Sequence, residues 1–266
     1  MGQDQAGTNA GNGVMTMNRI VPALLLWACA ALAMANEGGL PLLESHANLD
    51  SQVNLQRGAR TFVNYCLSCH SASFMRYSRL VDDLGLSKET VEKNLMFTTD
   101  KIGNQMIVAM RPADAEQWFG VAPPDLSVVA RARGADWLYS FLLSFYQDDK
   151  RPTGVNNLYF PDTAMPAVLS RLQGVQRKAE ATDGHPSMED GGEHGQHGPL
   201  LELAMPGRLS PEEYATTVRD LVSFMVYLGE PAKLVRYKVG FWVLAFLLLL
   251  FVAAYLMKQE YWKDVH

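Results

Sequence analysis

The chain has 266 residues, of which 48% are hydrophobic and 19% charged, with a mean hydropathy of −0.05. This composition excludes a disordered chain and a polytopic membrane protein. The net charge of −5 argues against a nucleic-acid-binding protein, and three cysteines are too few for a disulfide framework.

The N-terminal region has the pattern of an export signal. Arg19 precedes an uncharged run of 16 residues that ends in Ala-Met-Ala at 33–35, a small-x-small cleavage site. The alternative, a transmembrane helix, is less favoured because the run is short and Pro22 interrupts it. We therefore expect residues 1–35 to be a cleaved signal region and residues 36–232 to form a periplasmic domain.

The predicted exported domain is acidic. Residues 36–232 contain 17 basic and 25 acidic residues, a net charge of −8. Such a domain is expected to attract basic partners and to guide their encounter at low salt.

The first predicted helix of this domain leads into a cysteine motif. Ser51 is a suitable N-cap. Apolar residues then recur three and four positions apart at Leu55, Ala59, Phe62 and Val63. A glycine inside a helix costs about 1 kcal/mol relative to alanine, so Gly58 predicts a close crossing with another helix.

The motif itself is Cys-Leu-Ser-Cys-His at residues 66–70. C-x-x-C-H is the attachment sequence of c-type haem, in which Cys66 and Cys69 form thioethers and His70 is the proximal iron ligand. A thioredoxin-type redox pair would need a preceding strand, and a structural zinc site would need two further ligands. The sequence therefore favours covalent haem over both alternatives.

A haem that only transfers electrons is expected to have a sixth ligand, and methionine opposite histidine raises the potential. Two methionines share an Ala-Met-Pro context, Met165 and Met205. On this evidence alone, either of them is a candidate ligand.

Two segments of the domain are interpreted as structural. Residues 135–146 are apolar almost all round and too short to span a membrane, so we expect a buried helix. Residues 174–199 are rich in glycine and acidic residues and predict a low-complexity surface loop. A metal site formed by His185, His194 and His197 is disfavoured there because of the glycines.

The C-terminal part predicts two consecutive helices. Ser210, Pro211 and Glu213 have the pattern of a capping box with proline at the first helical position, and Gly229 is the expected end of that helix. Residues 239–257 then form an uncharged run of 19 residues, the length of a membrane-spanning helix. We predict an anchor at 233–258 and a cytoplasmic tail at 259–266.

Several further motifs occur together in one order. They are Pro123-Pro124-Asp125-Leu126-Ser127, Arg131-Ala132-Arg133, Pro152-Thr153-Gly154-Val155, Tyr159-Phe160-Pro161 ahead of Met165, Val218-Arg219-Asp220-Leu221-Val222 and Gly229-Glu230-Pro231. With the cysteine motif and the anchor, they make the chain resemble the cytochrome c1 family over about residues 40–260.

The resemblance implies a mainly α fold, a class I cytochrome c-like haem domain with long loop insertions and one C-terminal transmembrane helix. It implies one covalent haem c and places the axial methionine on Met165, with Met205 as the alternative. A carbonyl in the loop of Pro123 and Pro124 is expected to accept the Nδ1–H of His70, and Arg133 matches an arginine near the haem propionates.

The family resemblance also implies a function. The chain would pass single electrons from the Rieske iron–sulfur protein to a soluble or membrane-bound cytochrome c, within a dimeric quinol–cytochrome c reductase (cytochrome bc1) complex that contains cytochrome b. It would be non-catalytic by itself and lie in the bacterial inner membrane. Two alternatives are a stand-alone membrane-anchored cytochrome c that donates electrons to a terminal oxidase and a haem enzyme with an open iron, such as a peroxidase.

Overall fold

The structure is a computed structural model that describes residues 40–179 and 201–263. The predicted signal region 1–35 lies outside the described residues. So do the three histidines at 185, 194 and 197 of the predicted surface loop.

The described residues are mainly helical, which confirms the expected fold class. Short antiparallel strand pairs connect the helices. In chain order the elements are α1 (Gln52–Tyr65), β1 (Ala72–Arg76), α2 (Ser78–Leu84), α3 (Lys88–Asn94), β2 (Gln105–Met106), α4 (Pro112–Phe119), α5 (Val129–Arg133), α6 (Ala135–Leu143), β3 (Phe145–Gln147), β4 (Val155–Asn157), α7 (Ser170–Gln173), β5 (Gly174–Lys178), β6 (Leu201–Pro206), α8 (Pro211–Gly229) and α9 (Lys233–Tyr261).

The core is organised around the crossing of α1 and α8, the first and eighth helices. Gly58 lies at the crossing, where a Cβ atom would be 2.7 Å from the Phe224 Cβ and closer still to the Asp220 carbonyl oxygen. The rings of Phe62 and Phe224, both fully buried, lie 5.5 Å apart beside it. The close crossing predicted from Gly58 is therefore confirmed, and only a residue without a side chain fits there.

Local signals set the ends of these two helices. The Ser51 side chain accepts a hydrogen bond from the Asn54 N–H at the start of α1. Ser210 and Glu213 form both hydrogen bonds of a capping box at the start of α8, which ends at Gly229. Each predicted cap is confirmed, because each depends only on residues within one turn of the chain.

The predicted helix at 135–146 is shorter than expected. It ends at Leu143, and Phe145–Gln147 instead forms β3, in which Phe145 pairs with Asn157 of β4. The Ser144 hydroxyl bonds to the Phe141 carbonyl and to the Asn157 side chain. An apolar run does not distinguish helix from buried strand, and here the partner strand decides.

The predicted surface loop at 174–199 also begins later than expected. Its first residues, Gly174–Lys178, form β5 and pair with β6, with Val175 opposite Met205. The strand was missed because its partner comes after the low-complexity segment, so that no local signal identified the pairing.

The last helix, α9, contains the predicted anchor. Within the described part of the chain, one helical stretch is long and apolar enough to cross a membrane, Val239–Tyr261. Its side chains are not buried against the rest of the protein, as expected of a helix that faces lipid.

Candidate functional site

One cavity of about 450 Å³ brings together all seven predicted site residues. Its wall includes the cysteine motif residues and Met165, the loop of Pro123 and Pro124, and Arg133. The volume falls in the range of roughly 300–1,000 Å³ that is typical of sites for cofactors and other small molecules. Residues far apart in the sequence thus converge on one apolar pocket.

The cysteine motif lies in a tight turn directly after α1. The Cys66 N–H donates to the Phe62 carbonyl at 2.8 Å, and the His70 N–H donates to the Cys66 carbonyl at 2.9 Å. This turn puts both sulfur atoms and the imidazole on the same wall of the cavity. Cys66 and Cys69 are free cysteines rather than a disulfide.

The environment of the cysteines does not suit either alternative chemistry. Burial raises the pKa of Cys66 to about 12, whereas reactive C-x-x-C thiols have lowered pKa values. A zinc site is unsupported as well, because the described residues contain no group of three or more His, Cys, Asp or Glu side chains that could hold a metal ion. Cys66 is therefore a buried, neutral thiol in the same motif as a histidine.

The ring of His70 is held by the proline loop. Its Nδ1 lies 2.7 Å from the carbonyl oxygen of Pro124, an acceptor that requires the N–H on Nδ1. Burial lowers the pKa of His70 despite this bond and the nearby Asp125 carboxylate. The imidazole is therefore neutral at pH 7, and its Nε2 lone pair is available to bind a metal ion.

Asp125 fixes the proline loop against the segment that follows His70. Its carboxylate accepts hydrogen bonds from the Ser73 N–H at 2.9 Å, the Ser73 hydroxyl at 2.6 Å and the Ser127 N–H at 2.8 Å. Burial acts to raise the pKa of Asp125, but the bonds from Ser127 and Ser73 outweigh it and hold the pKa below its usual value. This ionised carboxylate sets the register in which Pro124 faces His70.

Met165 reaches the cavity on the loop between β4 and α7, whereas the alternative ligand does not. Met205 lies on β6 with 60% of its surface exposed and is not among the residues that line the cavity. The structure thus brings Met165, and not Met205, together with His70.

Arg133 stands at an aromatic part of the wall. Its guanidinium lies 5.0 Å from the ring centre of Trp137 and 5.8 Å from that of Phe160, distances suited to cation–π attraction. Trp137 also stacks on Phe141 at 5.1 Å. Trp137, Phe141 and Phe160 were not predicted as site residues; for the first two, the i, i+4 spacing within α6 was the available signal.

The residues present fit a covalently attached haem. The cavity is apolar, and it offers two cysteines one turn apart, a nitrogen ligand and a thioether ligand. Among the described residues of its wall, Arg133 is the charged one. Two thiols suit covalent attachment of a c-type haem, and an oriented imidazole and a methionine suit ligation of its iron.

A family model and a relative of high sequence identity assign the chain to a family. A model of the Cytochrome C1 family matches residues 44–191. A cytochrome c1 of Allochromatium vinosum is 47% identical over 250 residues, which cover 94% of this chain and 100% of that protein. A Nitrosomonas europaea protein named ammonia monooxygenase gamma subunit is 44% identical over 250 residues, 93% of this chain and 100% of that protein. A chain of a hyperthermophilic respiratory Complex III is 15% identical, with a TM-score of 0.43, and the match covers 96% of this chain and 99% of that chain.

Proposed function

The chain belongs to the cytochrome c1 family, and we propose that it is the electron-transfer subunit of a quinol–cytochrome c reductase. In this role it passes single electrons from a Rieske iron–sulfur protein to cytochrome c. The observation that carries the proposal is the convergence of the cysteine motif, Met165 and the proline loop on one apolar cavity.

Each site residue has a separate task in this proposal. Haem supplies reversible one-electron chemistry between Fe(II) and Fe(III). Cys66 and Cys69 would hold the group covalently, and His70 would bind its iron through Nε2 because Pro124 occupies Nδ1. Met165 would supply a second iron ligand through its thioether sulfur.

In this proposal, the wall of the cavity adjusts the affinity of the haem for an electron. The aromatic side chains of Trp137, Phe141 and Phe160 exclude water from the group, and a low dielectric raises the cost of the more highly charged oxidised state. Arg133, the charged residue on this wall, is the proposed partner of the haem propionates.

The proposed location follows from the two ends of the chain. With the export signal at 1–35 removed, residues 36–232 lie in the periplasm and α9 crosses the bacterial inner membrane once, with its end in the cytoplasm. Cytochrome b is the membrane partner, and the complex is a dimer. The chain is an electron carrier and does no bond chemistry of its own.

A haem stain tests the attachment. The wild-type chain, isolated from membranes and run on a denaturing gel, is expected to retain a peroxidase-active haem band. The variant Cys66→Ser with Cys69→Ser loses that band, because no thioether remains. Cys29→Ser is the matched control, since this cysteine lies in the predicted signal and its loss leaves the band intact. A wild-type chain without a haem band would contradict covalent attachment.

Purification of the intact membrane complex tests the proposed role. We expect the chain to travel with a cytochrome b and a Rieske protein, and its deletion to abolish quinol-dependent reduction of cytochrome c. Isolation alone with a terminal oxidase as the electron acceptor would support a stand-alone cytochrome. Isolation with an ammonia monooxygenase would support the function that the Nitrosomonas europaea relative's name describes.

A further inference from the structure

Two adjacent asparagines, Asn156 and Asn157, lie almost fully buried at the end of β4, with 7% and 1% of their surface exposed. Neither lines the cavity. Buried side-chain amides are retained only where they are well hydrogen-bonded. Three of the partners of these two amides are backbone N–H groups of the segment that leads to Met165.

Asn157 binds the start of that segment. Its Oδ1 accepts from the Tyr159 N–H at 2.9 Å and from the Phe160 N–H at 3.1 Å. Its Nδ2 donates to the Phe141 carbonyl of α6 at 2.7 Å. One side chain therefore connects the segment to the helix that carries the aromatic wall.

Asn156 binds the middle of the segment. Its Oδ1 accepts from the Asp162 N–H at 2.8 Å and from the Asn157 N–H at 2.9 Å. Its Nδ2 donates to the Asp148 carboxylate at 2.9 Å. Because both the oxygen and the nitrogen of the amide are hydrogen-bonded, the side chain has one orientation.

Asp162, the residue that Asn156 holds, has an unusual backbone. Its φ of 63° lies in the left-handed region, which residues other than glycine adopt infrequently. Arg151 holds it from the other side, donating to the Asp162 side chain at 2.7 Å and to its carbonyl at 2.9 Å. Three residues later comes Met165, whose N–H donates to the Thr163 hydroxyl at 3.3 Å.

We propose that Asn156 and Asn157 are positioning residues that keep the sulfur of Met165 in place as the sixth iron ligand. This inference rests on the proposed function. The two amides accept hydrogen bonds from three backbone N–H groups between β4 and Met165, a stretch in which the structure has no helix or strand to do so. Without these acceptors the N–H groups turn towards water, and the loop moves Met165 away from the iron.

The test uses the full chain with its haem, purified from membranes in detergent. Asn156→Leu keeps the branching of the side chain at Cγ but has no acceptor for the Asp162 N–H. We expect a weaker methionine–iron charge-transfer band in the ferric protein. We also expect imidazole, which competes with Met165 for the iron, to bind at least about tenfold more tightly.

A control and a rescue separate positioning from general destabilisation. Tyr227→Phe removes a buried hydrogen bond to Asp83 elsewhere in the domain and is expected to leave both readouts unchanged. Asn156→Asp combined with Asp148→Asn exchanges donor and acceptor between the two positions while an oxygen still faces the Asp162 N–H. This pair is expected to restore the band and the imidazole affinity.

The outcomes distinguish this inference from the proposed function. If the wild-type protein shows the charge-transfer band, and Asn156→Leu has the same band and the same imidazole affinity, then the inference alone is overturned. A wild-type protein without the band would overturn both the role of Met165 and the inference. If Asn156→Leu does not accumulate, Arg151→Gln loosens the same loop from its more exposed side. It is expected to shift both readouts in the same direction, and unchanged values would again overturn the inference.

Discussion

Replacement of Gly58 by alanine tests the helix crossing on which the haem site is built. The new Cβ would lie 2.7 Å from the Phe224 Cβ and closer to the Asp220 carbonyl oxygen. Neither atom moves by a side-chain rotation, so α1 and α8 must separate. Overpacking costs about 1–3 kcal/mol and occasionally more, while alanine gains about 1 kcal/mol in helix propensity. Because the contact is with backbone, we take the upper end and expect a net loss of about 2 kcal/mol.

For a domain of about 200 residues, that loss lowers the melting temperature by about 4–8 °C. Thermal unfolding of the haem-loaded protein, followed by circular dichroism, measures it. Gly103→Ala is the matched control, because nothing lies within 4 Å of a Cβ there. An equal or higher melting temperature for Gly58→Ala would show instead that helix propensity outweighs packing at this crossing.

Three further predictions concern the ligands, the proline loop and docking. Met165→Leu is expected to abolish the methionine–iron charge-transfer band, whereas Met205→Leu on the exposed β6 strand retains it; the reverse result would transfer the ligand role to Met205. The pKa of Asp125 is lowered in the folded protein. Its ionised carboxylate therefore stabilises the fold above about pH 4. This contribution is lost as the pH falls through the lower pKa of the folded state. The stability difference between wild type and Asp125→Asn, measured by urea unfolding, should therefore shrink below about pH 4. A difference that stays constant with pH would contradict stabilisation by the ionised carboxylate. The net charge of −8 on residues 36–232 predicts that electron transfer to a basic cytochrome c slows as salt increases, and rates independent of salt would exclude electrostatic guidance.

The two proposed iron ligands are held by different means. His70 is the last residue of the five-residue motif that attaches the haem. The carbonyl of Pro124 orients its ring, and Asp125 holds the loop of Pro124 in place. Met165 has no such neighbour in sequence and depends on Asn156 for the placement of its loop. This difference explains why we expect substitutions on the methionine side to change ligation before they change haem attachment.

What could be predicted from the sequence was mostly local. The caps at Ser51 and Ser210 involve residues three positions apart, and the cysteine motif is complete within five residues. The tolerance of Gly58 in a helix indicated a crossing, because few other causes explain a buried helical glycine. These features needed no knowledge of the tertiary structure.

The features that were missed depend on distant partners. The strand Phe145–Gln147 forms because Val155–Asn157 pairs with it. The strand Gly174–Lys178 forms because it pairs with Leu201–Pro206. Asn156 and Asn157 resemble ordinary turn residues until the fold buries them. The assignment of Met165 over Met205 came from the family resemblance, since both share the same local sequence.

A single-turnover experiment follows the electron from quinol through the haem of this chain to cytochrome c. Quinol is mixed with the purified membrane complex, and the absorbance of the covalent haem of this chain and that of added cytochrome c are followed together. We expect this haem to be reduced before cytochrome c and only when the Rieske protein is present. Reduction of cytochrome c at the wild-type rate by a complex that lacks the haem of this chain would contradict the proposed electron path.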